Sequence, residues 1–222
     1  MPRQPEKLTP QDIEGVLGIL PAPSTPDAGH WSCTRSVDLD ATADMVALAR
    51  DAGIGFLMTG GSFGEGASLT EEEHDDLNAC IAETKGPARL FAGATTLNTR
   101  ETIARARRLI DRGADGLFLG RPMWMSLDPP GILAFYRDVA EALPGVPVVI
   151  YDNQFAFKAG IDAPTYAALS GIPEIVATKH IGGPALAEAM RAVEGRMRVL
   201  PVDSKWAALA REAPREARAC WS

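Results

Sequence analysis

Lys179 closes one short apolar run and Tyr151 closes the run before it. The two segments are Ile175-Val-Ala-Thr-Lys-His180 and Val148-Val-Ile-Tyr-Asp-Asn153, separated by one helix-length stretch. Strand side chains alternate between faces. Val149, Tyr151 and Asn153 are therefore expected on one face, and Ile175, Ala177 and Lys179 are expected to share one face as well. An amine and a phenol then meet at the C-terminal mouth of a parallel sheet, where α/β barrels keep their chemistry. A lysine there is desolvated, and its pKa falls towards the range in which the free amine attacks a carbonyl. Lowering it from about 10.4 to about 7.5 takes roughly 4 kcal/mol of differential interaction, a magnitude burial can supply. The indicated chemistry is Schiff-base catalysis. The alternative is that Lys179 snorkels to solvent or pairs with Asp152 or Asp203.

The elements that must position these groups alternate along the chain. Strands are predicted at 16–21, 55–60, 89–94, 116–120, 146–153, 175–180, 197–202 and 217–221. Helices are predicted at 41–52, 70–84, 99–112, 130–142, 163–169, 184–193 and 206–212. Thr70 with Glu73, and Asn98 with Glu101, have capping-box spacing. Gly53, Gly86, Gly113, Gly145 and Gly195 stand where helices stop. Eight strand-helix repeats without a GxGxxG fingerprint predict an α/β fold of the (β/α)8 TIM barrel type, a single domain over residues 1–222. No eighth helix follows the eighth strand. The expectation is a barrel incomplete at the C-terminus, lacking the eighth helix and a C-terminal helical region, with an open seam beside the last strand. Such a chain is either shortened or covered by a partner.

The 222 residues carry 29 acidic and 22 basic side chains, a net charge of −7, and 46% are hydrophobic. This acidic balance, without a basic patch, argues against nucleic acid or an anionic membrane as partner. The N-terminal Met1-Pro-Arg-Gln-Pro-Glu-Lys7 has no apolar signal-peptide core, and no apolar run reaches membrane-spanning length. Cys33, Cys80 and Cys220 are odd in number and widely spaced, which fits a reducing, cytoplasmic compartment. His30, His74 and His180 are scattered, so no metal site is expected and no cofactor is needed. His180 follows Lys179 directly and is expected to pack on the helix side.

Several stretches resemble the dihydrodipicolinate synthase and N-acetylneuraminate lyase superfamily of class I aldolases. They are Ser36-Val-Asp-Leu-Asp40, Gly61-Ser-Phe-Gly-Glu65 with Leu69-Thr70, Gly93-Ala-Thr-Thr-Leu-Asn-Thr-Arg100, Gly120-Arg-Pro-Met-Trp124, Phe135-Tyr-Arg-Asp-Val-Ala140, Tyr151-Asp-Asn153 with Phe157-Lys158, and Ala219-Cys-Trp-Ser222. Within the superfamily the chain is most similar to the hydratase-aldolases of aromatic degradation. The resemblance implies that Lys179 forms the imine and Tyr151 shuttles protons as general acid and base. It implies that Ser62 and Phe63 hold a pyruvate carboxylate through a hydroxyl and backbone N–H groups. It also implies that Asn153 contacts substrate. Read without the resemblance, Gly60, Gly61 and Gly64 only make a turn, and Asn153 only caps a loop. Family members are homo-oligomers, usually tetramers, so a homo-oligomer is expected.

The departures bear on specificity. The synthases follow the tyrosine strand with a Pro and an Arg that grips a second carboxylate. Here Gln154-Phe-Ala-Phe157 intervenes and that Arg is absent, which disfavours a dicarboxylate product. Trp124 matches a synthase tyrosine and offers a flat apolar surface suited to an aromatic aldehyde. Gln154 and Ser62 stand where the hydratase-aldolases usually have Pro and Thr. The expected reaction is cleavage of an arylidene-pyruvate, a small-molecule substrate, to pyruvate and an aromatic aldehyde. One alternative is another pyruvate-dependent aldolase or dehydratase, acting on a sugar acid or an amino-acid precursor. The other is an inactive fragment or interaction-only remnant, which borohydride trapping with pyruvate would distinguish.

Overall fold

A computed structural model describes residues 4–222, so the first three residues of the N-terminal stretch read above lie outside the described residues. The strands are β1 (Gly15–Ile19), β2 (Phe56–Met58), β3 (Arg89–Gly93), β4 (Gly116–Leu119), β5 (Val148–Tyr151), β6 (Ile175–Lys179), β7 (Arg198–Leu200) and β8 (Ala219–Trp221). Between them run α1 (Leu39–Asp51), α2 (Glu71–Thr84), α3 (Thr99–Asp111), α4 (Pro129–Ala142), α5 (Ala163–Leu169), α6 (Pro184–Val193) and α7 (Asp203–Glu212). All strands are parallel, in the order β7-β6-β5-β4-β3-β2-β1-β8. An isolated parallel bridge between Val202 and Trp221 joins the two ends of this sheet, with the Trp221 N–H donating to Pro201 at 3.0 Å. The predicted (β/α)8 barrel is present. The seam expected beside the last strand is spanned at the mouth, and Cys220 on β8 is fully buried.

Local chemistry sets the helix boundaries. Thr70 and Glu73 form a reciprocal capping box, whereas Asn98 caps α3 one way, accepting from the Glu101 N–H at 3.0 Å. Asp38 accepts from the Ala41 N–H, which starts α1 two residues earlier than predicted. Asp128 and Asp162 cap α4 and α5 in the same manner, each satisfying an otherwise orphaned N–H. The five glycines read as helix stops all have positive φ, the left-handed conformation that closes a helix.

Period-two alternation divides the core into two layers. Leu17, Met58, Phe91, Phe118, Val149, Tyr151, Ala177, Leu200 and Ala219 fill the barrel interior. Leu57, Leu90, Leu117, Leu119, Val148, Ile150 and Val199 face the helices. Leu8 and Ile13, flanking a 3-10 turn at Pro10–Asp12, join the interior cluster, an N-terminal element the sequence reading did not foresee.

One expectation about faces fails. The β5–β6 register runs Val148 to Ile175 and then Val149 to Ala177, so a bulge takes up one residue of β6. Ile175 consequently packs with the helix-facing layer while Val176 and Ala177 both point inward. Beyond the bulge Tyr151 pairs with Lys179, and those two do share the interior face. Among the described residues no helix is long and apolar enough to cross a membrane.

Candidate active site

Lys179 ends β6 inside the barrel mouth and is 7% exposed. Its Nζ lies 3.7 Å from the ring centre of Trp221 on β8 and 5.1 Å from that of Tyr151 on β5. Burial pulls its pKa down to about 8, while the charge of Asp152 works the other way. The ring faces favour the ammonium form, but desolvation wins. Lys179 makes no ion pair among the described residues. Asp152 is engaged by Arg121 at 3.1 Å and by the Tyr166 hydroxyl at 2.8 Å, and Asp203 accepts from Ser222 at 2.8 Å. The pairing alternative raised for Lys179 is thereby replaced by a buried, unpaired amine.

The Tyr151 hydroxyl is the hub of a second set of contacts. It lies 2.8 Å from the Ser62 Oγ and accepts from the Asn153 Nδ2 at 2.9 Å. The orientation of the Asn153 amide follows from its other end. Its Oδ1 accepts from the N–H groups of Phe155 (3.0 Å) and Ala156 (3.2 Å), so only its Nδ2 can face the phenol. Asn153 therefore caps a loop and also supports Tyr151. Phe118 at 4.8 Å and Phe157 at 5.4 Å between ring centres wall the phenol in.

Ser62 reaches Tyr151 because the loop after β2 folds back tightly on itself. A Cβ at Gly61 would come within 3.0 Å of Phe118, and one at Gly66 would overlap the Gly60 carbonyl. These glycines make a turn and, by making it, set the Ser62 hydroxyl against the phenol. Among the described residues the N–H groups of Ser62 and Phe63 donate to no acceptor.

The structure brings together four of the six site residues predicted from sequence: Lys179, Tyr151, Ser62 and Asn153. Phe63 and Trp124, each 71% exposed, stand at the rim instead. The Trp124 carbonyl accepts from Lys158 Nζ at 2.5 Å, and that nitrogen also sits 5.4 Å from the Trp124 ring centre. Phe155 and Met125, in the loops that carry Asn153 and Trp124, are exposed as well. His180 packs on the helix side, with its ring 6.0 Å from that of Tyr166, as its place beside Lys179 implied. Trp221 is the residue the reading missed. Alternation from Ala219 on the last strand was the available signal, since it sends residue 221 inward.

Comparison with known proteins gives a consistent set of relatives. The chain is 44% identical over 220 residues to trans-2'-carboxybenzalpyruvate hydratase-aldolase from Nocardioides sp. (strain KP7), covering 97% of this chain and 66% of the relative. It is 43% identical over 217 residues to trans-O-hydroxybenzylidenepyruvate hydratase-aldolase from Pseudomonas putida, covering 97% and 65%. The chain thus spans slightly less than two thirds of the length of these curated relatives. The solved structure of PhdJ bound to substrate intermediate superposes with a TM-score of 0.95 at 52% identity, covering 98% of this chain and 68% of that one. The dihydrodipicolinate synthetase family matches residues 16–200, five-sixths of the chain, and the chain belongs to that family.

Proposed function

We propose that this chain is a Schiff-base hydratase-aldolase that converts an arylidene-pyruvate and water to pyruvate and an aromatic aldehyde. The observation that carries the reading is the unpaired Lys179 amine, buried against Trp221 and Tyr151 and drawn down to about 8. The names of the relatives at 43% and 44% identity support the substrate class.

The Lys179 Nζ attacks the keto carbon, whose oxygen leaves as water, and a protonated imine conjugated to the side-chain double bond remains. Water then adds its oxygen to the carbon beside the ring and a proton to the neighbouring carbon. Tyr151 takes the new hydroxyl proton, the bond between these two carbons breaks, and its electron pair flows into the iminium to give an enamine. Protonation of the enamine and hydrolysis of the imine release pyruvate and free Lys179, with one net water consumed. Ser62 lies where it can pass a proton to or from the phenol. The open N–H groups of Ser62 and Phe63 suit the pyruvate carboxylate, and the rim formed by Trp124, Phe63 and Phe155 suits an aryl group.

The deciding experiment incubates the protein with pyruvate and borohydride, digests it and locates the adduct by mass. Label on the peptide containing Lys179, together with aldehyde release from an arylidene-pyruvate, supports the reading. Label elsewhere, or faster cleavage of sugar-acid aldols than of aryl substrates, overturns it.

A further inference from the structure

Behind the barrel wall, on the helix side of β5 and β6, lies a buried polar chain that the proposed reaction does not use. Arg121, in the loop after β4, is 1% exposed. Its Nη1 meets Asp152 Oδ1 at 3.1 Å, its Nη2 donates to the Ala159 carbonyl at 2.5 Å, and its guanidinium lies 5.0 Å from the Phe157 ring centre. Its Nε is buried with no hydrogen-bond partner among the described residues. The other Asp152 oxygen accepts from Tyr166 at 2.8 Å, and Tyr166 accepts from Thr178 at 3.4 Å. Asp152 follows Tyr151 and Thr178 precedes Lys179, so this chain grips both strand ends beside the amine.

A buried ion pair of this kind is often no more stabilising than an apolar filling of equal volume, and the orphaned Nε adds a cost. What the pair does for Lys179 is electrostatic. The groups around the amine and its polar chain able to carry charge include Tyr151, His180, Tyr166, Tyr136, Cys220, Asp203, Asp152 and Arg121, and burial raises Tyr136 so that it stays neutral. Burial keeps His180, Tyr166 and Cys220 in their neutral forms at neutral pH, lowering the first and raising the other two. Asp203 is turned to Ser222. Asp152 is the carboxylate whose charge acts on Lys179, and Arg121 pairs with that carboxylate at 3.1 Å.

We propose that Arg121 is a positioning residue for Lys179. By pairing with Asp152 behind the wall, it masks the carboxylate that would otherwise hold the amine as an ammonium, and it keeps the nitrogen free to attack a carbonyl. The idea deepens the Schiff-base reading, yet its test requires no substrate.

Competitive acetylation with acetic anhydride across pH 6 to 10, read at the Lys179 peptide by mass spectrometry, reports the fraction of free amine. Arg121→Met should move the labelling midpoint up by about one unit, cutting labelling at pH 7 about tenfold, the scale of an unmasked nearby carboxylate. Asp152→Asn should move it down, and Arg121→Lys should hold it near the wild-type position. Opposite shifts from the two sides of one pair are not produced by loosened packing. If Arg121→Met does not fold, the double variant Arg121→Met/Asp152→Asn removes both charges, and its midpoint should lie at or below that of the wild type. A folded Arg121→Met with an unmoved midpoint, an Asp152→Asn midpoint that does not fall, or a double-variant midpoint above wild type overturns the proposal. A protein that shows these shifts but traps no pyruvate keeps the masking role and loses the aldolase reading.

Discussion

The Lys179 nitrogen sits 3.7 Å from the ring centre of Trp221, a residue of β8 whose indole N–H donates to the His180 carbonyl at 2.9 Å. The indole is thus pinned to the residue next to the lysine and seals the amine from water on the β8 side. Trp221→Ala should readmit water, relieve the desolvation that lowers the amine and move the half-maximal pH for imine trapping above about 8. A midpoint that falls would show that ring contact, and not exclusion of water, controls the lysine, and one that stays would show that Trp221 does not set it.

Lys179→Ala should abolish the borohydride-trapped pyruvate adduct. Lys158→Ala should leave it, because the Lys158 Nζ is tied to the Trp124 carbonyl at the rim. Peptide mass mapping distinguishes the two, and an adduct that persists without Lys179 would refute the assignment.

Tyr151→Phe should lower aryl-substrate cleavage by roughly 100- to 10,000-fold, the usual worth of a general acid-base group, while imine trapping with pyruvate survives in part. Ser62→Ala, which removes the 2.8 Å contact to the phenol, should produce a smaller loss in the same step. Steady-state and single-turnover kinetics measure both. Near-normal turnover by Tyr151→Phe would remove the tyrosine from the mechanism.

Asn153→Ala takes away the donor that faces the Tyr151 oxygen and the acceptor that holds the Phe155 and Ala156 N–H groups. We expect kcat to fall more than KM rises, since the amide engages the tyrosine and the loop. Asn153→Asp retains the loop acceptor and lacks the donor, so it should restore stability without restoring kcat. A change confined to KM would instead favour the direct substrate contact implied by the family resemblance.

His74 on α2 is 1% exposed, and burial holds its pKa at about 4, below the ordinary 6.5. Between those values the unfolded chain binds a proton that the folded chain does not. Stability is therefore complete above pH 6.5 and falls as the pH drops towards 4, by up to about 3 kcal/mol. Denaturant titrations at pH 7 and pH 4.5 should show this slope in the wild type and a flatter one in His74→Asn. Equal slopes would mean that other groups carry the acid sensitivity over this window.

Much of the barrel is legible in the sequence because the responsible forces act over a few residues. Alternation marks the strands, side-chain caps such as Thr70 and Asn98 open helices, and glycines with positive φ close them. The match of Lys179 and Tyr151 to two successive strand ends places the amine and the phenol at one mouth. The tertiary structure alone decides which neighbours those groups meet. A one-residue bulge turns Ile175 away from the face of Lys179, and barrel curvature carries Trp221 from the far end of the chain to the amine. Loop closure aims Ser62 and Asn153 at one phenol oxygen, while Arg121 travels behind the wall to Asp152. Phe63 and Trp124, matched by motif, stay at the rim because a loop's direction depends on packing that no local pattern encodes. Register, bulges and closure are sums of many long-range contacts, and a sequence read segment by segment does not contain that sum.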